Sequence, residues 1–91
     1  MCLAVHQLLS RAKSLVTRFE VEGERSYIDQ AIVLDREALE LCPPGHPERD
    51  VSLSSLAVHL GERYNQLGGM EDIHEAILLN RDALALRPPG H

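Results

Sequence analysis

The chain has 91 residues, of which 44% are hydrophobic and 25% charged, and its formal net charge is −5. This length fits one small domain, and the excess of Asp and Glu over Lys and Arg, 14 to 9, argues against nucleic-acid binding, which needs a basic surface. No apolar run approaches the roughly 18 residues of a membrane-spanning helix. Residues 1–9 lack the basic segment of a secretory signal, so with only two cysteines we expect a cytoplasmic protein without a disulfide framework.

Apolar residues recur with helical spacing in four segments, which predicts an all-α fold with helices at about 3–21, 26–42, 47–66 and 70–87. The expected buried faces are Leu8, Ala12, Leu15 and Phe19 in the first helix; Ile28, Ala31, Ile32, Ala38 and Leu39 in the second; Leu53, Leu56, Ala57, Leu60, Tyr64 and Leu67 in the third; and Met70, Ile73, Ala76, Ile77, Ala83 and Leu84 in the fourth.

Glycines and prolines separate these segments. Gly23 and Gly68–Gly69 can adopt the left-handed conformation that ends a helix. Pro43 and Pro44 cannot continue the second helix, and Pro47 fits the first turn of the third, where its missing N–H costs nothing. The short connections predict that paired helices run antiparallel.

The sequence also contains an internal repeat. When the chain is shifted by 45 positions, 18 of the 46 aligned pairs are identical without a gap, ending with Pro-Pro-Gly-His at 43–46 and 88–91. This predicts two copies of one helical hairpin, residues 1–46 and 47–91, which together form one small domain of the α-α solenoid type.

The hairpin resembles the tetratricopeptide repeat, whose signature places W-x2-L-G-x2-Y on the first helix, A-x3-F on the second and a proline at its end. The second copy shows Leu60, Gly61, Tyr64, Ala76 and Pro88 at matching positions. The first copy shows Leu15, Val16, Phe19, Ala31 and Pro43. Asp35 and Asn80 stand where A-x3-F has its aromatic residue, and the period is 45 rather than 34. With its "LRPPGH" junction, the chain is similar to the long-period fungal arrays that resemble kinesin light chains and accompany caspase-like CHAT domains or nucleotide-binding signalling domains.

The resemblance implies that the first helix of each unit lines a concave groove. The groove side chains, as candidates for binding a protein or peptide, would be Ser10, Lys13, Thr17, Glu20 and Val21 from the first unit and Ser55, Val58, Glu62, Asn65 and Gln66 from the second.

The sequence offers no persuasive catalytic or cofactor chemistry. Cys42 and His46 could form a thiol–imidazole pair, but the second copy keeps His91 and replaces the Cys with Arg87, which favours a structural role for the junction. The five histidines show no metal-ligand spacing and are interpreted as solvated or helix-capping. No phosphate-binding loop occurs. We therefore expect no catalytic residue, metal or cofactor.

The repeated arginines at 18 and 63, and at 36 and 81, are expected to pair with Asp or Glu of the next helix. Two units should leave an apolar face uncovered at each end, and no segment resembles a polar cap. The chain is therefore expected to belong to a longer array or to associate with a copy of itself.

The favoured function is a non-catalytic protein-interaction scaffold with a protein or peptide partner. One alternative is the repeat segment of a fungal signalling or caspase-like protein, and another is a small self-assembling helical protein. Neither nucleic acid nor membrane is an expected partner.

Overall fold

The computed structural model describes residues 3–86, which form four α-helices and no strand. The helices are α1 (Leu3–Glu22), α2 (Arg25–Glu40), α3 (Arg49–Leu67) and α4 (Met70–Ala85). The predicted all-α class and the number of helices are confirmed, and the helix boundaries agree with those expected to within two residues over this range. The second Pro-Pro-Gly-His, at 88–91, and the last expected residue of the fourth helix lie outside the described residues.

Two hairpins build the molecule. Helix α1 packs along α2, and α3 packs along α4, while α3 also packs on α2 and touches α1. Helix α4 packs mainly against α3 and is linked to α2 by the ion pair of Arg36 with Glu75. Each helix therefore packs most extensively against the helices that adjoin it in the sequence.

Glycine ends two of the helices, as predicted. Gly23 has a φ of 75° and its N–H donates to the carbonyl of Phe19 at 2.8 Å, and Gly68, with a φ of 81°, makes the equivalent bond to Tyr64. Such positive φ values are cheap for glycine and strained for other residues. The first hairpin turn therefore depends on one glycine with positive φ, and the second on two, since Gly69 has a φ of 112°.

The junction between the hairpins differs from expectation at the point where α3 begins. Helix α3 begins at Arg49, so Pro47 lies in the preceding turn and not in the first turn of the helix. The reason is that His46 and Glu48 form a turn of their own: the Glu48 N–H donates to His46 Nδ1 at 3.0 Å, and the Arg49 N–H donates to the carbonyl of His46. Gly45, with a φ of 94°, reverses the chain just before this turn.

The start of α2 also departs from its sequence pattern. Ser26 followed by Asp29 resembles a capping box, but the helix begins earlier, and Glu24 occupies the N-cap without a side-chain bond. Asp29 is instead used in ion pairs with Arg25 and with Arg63 of α3. Asp29 therefore forms ion pairs and does not take part in capping the start of α2.

One core runs through both hairpins. Its buried members come from all four helices: Ala12, Val16 and Phe19; Ile28, Ala31 and Ile32; Leu56, Ala57 and Leu60; and Ala76. A smaller cluster joins Val5, Ala38 and Cys42 near the junction. Most of these residues were expected, but Val5 and Val16 are buried where Leu8 and Leu15 are only partly so, which rotates the buried face of α1 slightly.

Four expected core residues of the second hairpin are exposed: Leu67, Met70, Ile77 and Leu84. Ile77 and Leu84 correspond by the 45-residue repeat to Ile32 and Leu39, which α3 helps to cover. An apolar face at the α4 end was expected. At the other end the expectation was wrong, because the outward side of α1 presents Gln7, Arg11 and Ser14, all exposed and polar.

Candidate functional site

An open cleft of about 630 Å³ lies between α1 and α3. Helix α1 contributes His6, Leu9, Ser10 and Lys13, and α3 contributes Asp50, Val51, Ser54, Ser55, Val58 and His59. The apolar part of its wall includes Val58, whose side chain is 65% exposed. Four of the ten groove residues expected from the resemblance, Ser10, Lys13, Ser55 and Val58, therefore lie together in this cleft.

Three other groove residues line a separate hollow of about 350 Å³ at the opposite end of the same two helices. Glu20, Glu62 and Gln66 surround this hollow together with Phe19 and Leu67. Its charged side chains are both acidic, whereas those of the α1–α3 cleft include Lys13 and Asp50. The predicted groove is thus divided into two hollows of different charge.

The remaining three groove residues line neither hollow. Thr17 donates its hydroxyl to the carbonyl of Lys13 at 3.1 Å, a bond within α1. Val21 and Asn65 are exposed on the surface of their helices.

A buried polar group lies behind the cleft. Asp35 of α2 is fully buried, and its carboxylate accepts a hydrogen bond from the Ser55 hydroxyl at 2.8 Å and another from Nδ1 of His59. Ser55 and His59 both line the cleft, so Asp35 fixes the orientation of two cleft side chains from behind.

The sequence does not predict this group. The comparison with the repeat signature marks Asp35 only as a missing aromatic residue. The interpretation of His59 as solvated is wrong, since its side chain is 8% exposed. A signal was present: Asp35 falls on the same helical stripe as Ile28, Ile32 and Leu39. An acidic residue within a buried stripe needs a partner on the facing helix.

The Asp35 group does not have the arrangement of a hydrolytic triad. In such triads the serine hydroxyl donates to the histidine, which in turn is held by the carboxylate. Here Ser55 donates directly to Asp35, alongside His59. The hydroxyl is used to hold the carboxylate and is not activated by the imidazole.

Cys42 and His46 are each engaged with other partners. The buried thiol of Cys42 lies 3.4 Å from the Ser52 hydroxyl, and Nδ1 of His46 accepts from the Glu48 backbone. Arg49 donates to the carbonyl of Cys42 at 2.8 Å and ties the junction to α3. Between Leu3 and Leu86, no group of three or more His, Cys, Asp or Glu side chains could hold a metal ion.

Of the repeated arginines, Arg63 pairs with the next helix as expected, whereas Arg36 pairs with α4 and not with α3, the next helix. Arg63 makes two bonds of 2.7 Å to Asp72 of α4 and one of 3.0 Å to Asp29 of α2. Arg36 of α2 makes two bonds, of 2.7 and 3.0 Å, to Glu75 of α4. Hydrogen bonds from these arginines lower the pKa of Asp72 and of Glu75 below their ordinary values.

Arg18 behaves differently from its repeat equivalent. It pairs within α1 with Glu22 at 3.3 Å, and its guanidinium carbon lies 4.6 Å from the centre of the Tyr27 ring. This contact places a cation over an aromatic face of the next helix. The role is again structural, but the partner of Arg18 on the next helix is a ring, and its carboxylate partner lies on its own helix.

The chain matches no family model, no curated protein and no solved structure. Within residues 3–86, no helix is both long and apolar enough to cross a bilayer.

Proposed function

We propose that the protein is a non-catalytic protein-interaction module of the tetratricopeptide-repeat type, which binds a segment of a partner protein in the α1–α3 cleft. The 45-residue internal repeat and the packing of α3 on α2 support stacking of two like hairpins. In a stack of this kind the first helices of adjacent hairpins form one wall, and here α1 and α3 border the cleft together.

The cleft itself carries the proposal. Its wall exposes apolar side chains, among them Val51 and Val58, beside polar groups such as Lys13 and Asp50. Concave sites with an apolar lining and a few fixed polar groups are typical of binding sites. The matching ligand is a peptide segment with an apolar side chain flanked by polar residues.

His59 and Ser55 add fixed hydrogen-bonding groups to this surface. Their orientation is set by the buried Asp35, so neither has to be ordered when a ligand binds. Preorganised polar groups lose less conformational entropy on association than free side chains do.

The test is selection of peptides against the whole chain from a random 12-residue phage-display library, followed by measurement of Kd for the recovered peptides. Changing Val58→Glu should weaken binding at least about tenfold, because a charge would be placed against the apolar part of the ligand. The control is Val33→Glu on α2, where Val33 is 55% exposed and outside the cleft. Recovery of no peptide, or equal weakening by both changes, would contradict the proposal.

A further inference from the structure

The α1–α3 cleft has two distinct ends, because α1 and α3 lie side by side and run in the same direction. Near the start of both helices, Nε2 of His6 lies 2.9 Å from the carboxylate of Glu48, the residue before α3. Near the end of both helices, Glu20 and Gln66 line one hollow. The cleft occupies the first half of the two helices, so one of its ends lies at their start and the other at their middle.

Side chains of opposite charge lie at these two ends. Asp50 lines the cleft from the first turn of α3, and Lys13 lines it from the middle of α1. Lys13 and Val58 are equivalent in the 45-residue repeat, and both line the cleft. Since Val58 follows Asp50 by just over two helical turns, the two charges are separated by about 12 Å along the helix direction. The cleft is therefore acidic at one end and basic at the other.

Neither charge is neutralised by the rest of the described chain. The ion pairs formed between Leu3 and Leu86 involve neither Lys13 nor Asp50. The carboxylate nearest in sequence to Asp50, that of Glu48, is already paired with a histidine of α1. Lys13 is exposed and Asp50 is half-buried. A ligand can therefore pair with both charges without breaking an ion pair of the protein.

Apolar side chains line the wall from one charge to the other. Leu9 of α1 and Val51 and Val58 of α3 supply this surface, and the two valines are 51% and 65% exposed. Covering them with an apolar group is favourable, whereas a charge placed against them without a partner is not. The cleft therefore favours a ligand whose apolar side chain lies between two charged ones.

An extended peptide matches the separation of the two charges. Such a chain advances about 3.3 Å per residue, so four steps span about 13 Å. Successive side chains point to opposite sides, which places the first, third and fifth on one side. The first and fifth can then carry the charges while the third carries the apolar group.

We propose that the cleft binds an extended segment of a partner protein in which a basic and an acidic residue are four positions apart, with an apolar residue midway. The basic residue pairs with Asp50 and the acidic residue with Lys13. The inference rests on the proposed function and deepens it, since it names the charge order of the ligand and two residues that determine specificity.

The same two residues act against other segments. A segment with two basic residues in these positions would place one of them beside Lys13, and a segment with two acidic residues would place one beside Asp50. Like charges brought together at an interface oppose binding. Discrimination therefore comes from repulsion as well as from attraction.

The probe is a fluorescein-labelled peptide with the core Lys-Ala-Leu-Ala-Glu between Gly-Ser flanks, titrated with the whole protein and followed by fluorescence anisotropy. The control peptide has the core Ala-Lys-Leu-Glu-Ala, which keeps the composition and net charge but turns both charges to the other side of an extended chain. We expect saturable binding of the first peptide below about 1 mM and at least about fivefold weaker binding of the control.

Two variants of α1 test the role of Lys13. Lys13→Glu should weaken binding of the first peptide at least about fivefold, whereas Arg11→Glu should leave its Kd within about twofold. Arg11 is a matched control because it undergoes the same change of charge, is exposed and lies outside the cleft. The Lys13→Glu protein should also bind a peptide with the core Lys-Ala-Leu-Ala-Lys more tightly than the unchanged protein does, a gain that a misfolded variant would not show.

Two variants of α3 test the role of Asp50. Asp50→Lys should weaken binding of the first peptide and strengthen binding of a peptide with the core Glu-Ala-Leu-Ala-Glu. Because an acidic residue in the first turn stabilises a helix, the milder Asp50→Asn serves as a second variant. It should weaken binding of the first peptide about threefold, since an amide does not attract the basic residue as a carboxylate does.

The inference and the cleft proposal fail in different ways. Equal binding of the two core peptides, or equal effects of Lys13→Glu and Arg11→Glu, would overturn the charge order even if Val58→Glu abolished binding. Absence of binding by both core peptides would also overturn it. The cleft proposal would then be judged separately, by library selection and the effect of Val58→Glu on the recovered peptides.

Discussion

His59 of α3 donates its Nδ1 proton to the fully buried carboxylate of Asp35 on α2, and this bond joins the two hairpins of the molecule. The Ser55 hydroxyl, 2.8 Å from the second carboxylate oxygen, completes the group. The interface between the repeat units is therefore held by a polar interaction inside an otherwise apolar core. The contribution of this interaction to stability is measurable.

The first prediction concerns this pair. His59→Ala should lower the free energy of unfolding by about 3–5 kcal/mol, because it leaves a buried carboxylate with one hydrogen-bond partner. The double change Asp35→Leu with His59→Leu should cost less than His59→Ala alone, since no buried charge remains. Urea denaturation of Asp35→Leu, His59→Leu and the double variant gives the coupling energy between the two side chains.

The control for this cycle is His74→Ala, because His74 is exposed on α4. Its effect should stay within about 0.5 kcal/mol. Additive costs for the changes at positions 35 and 59 would show that the two side chains do not act as a pair.

The second prediction is a loss of stability in acid. Hydrogen bonds from Arg63 and Arg36 lower the pKa of Asp72 and Glu75 below their ordinary values of 3.8 and 4.5. The unfolded chain therefore binds protons at these sites at a higher pH than the folded protein does. Their stabilisation is complete above the ordinary values and is lost as the pH falls through the lower folded-state values.

Urea denaturation at intervals between about pH 2 and 6 tests this expectation. Combining Arg63→Gln with Arg36→Gln should flatten the dependence of unfolding free energy on pH, whereas Arg11→Gln on the exposed side of α1 should leave the slope unchanged. An identical slope in all three proteins would refute the role given to these ion pairs.

The third prediction compares Gly61, inside α3, with Gly68, the residue that follows the end of α3. A β-carbon added at Gly61 would meet no atom within 4 Å, and the residue lies inside the helix. Gly61→Ala should therefore raise stability by about 0.5–1 kcal/mol, since alanine loses less backbone entropy in a helix. The free space around Gly61 shows that a side chain fits at this position.

Gly68→Ala is the matched opposite change. Gly68 has a φ of 81°, which costs an L-residue about 1–2 kcal/mol. Thermal melting of the two variants should therefore shift the midpoint in opposite directions. A lower midpoint for Gly61→Ala would indicate that the helix interior is tighter than its geometry implies.

The fourth prediction concerns the thiol of Cys42, which is fully buried beside Ser52. In a Cys2→Ser background, modification by a thiol reagent should be slow in native buffer and fast in urea, because access requires opening of the structure. The rate in urea of the same protein is the internal control. Rapid modification of the native protein would reopen the question of a reactive cysteine at the junction.

Much of the fold follows from sequence periodicity. The spacing of Phe19, Ile28 and Leu60 correctly predicts helices and buried faces, because each pattern is local to one helix. The bond between Asp35 and His59 could not be read in the same way, since it joins residues 24 positions apart on different helices. In the sequence, Asp35 only interrupts an apolar stripe of α2. Its role becomes clear when the position of His59 on the facing helix α3 is known.

The α4 end shows a second limit of pattern reading. Ile77 has the same residue type and repeat position as Ile32, yet the former is 48% exposed and the latter 3%. Burial depends on whether a neighbouring helix is present, which periodicity within α4 does not encode. For the candidate site, the resemblance to tetratricopeptide repeats implied one groove along α1 and α3, whereas the structure places seven of the ten named residues in two separate hollows.

The packing of each helix against its neighbours in the chain also determines how the chain folds. Each hairpin closes through a turn of two residues, 23–24 or 68–69, and the longer junction from Leu41 to Glu48 is braced by its own hydrogen bonds. Native contacts therefore form between segments that are already close in sequence, which keeps contact order low and folding fast. Asp35 and His59 lie on different hairpins. Their hydrogen bond therefore forms when the two hairpins pack together into one cooperative structure.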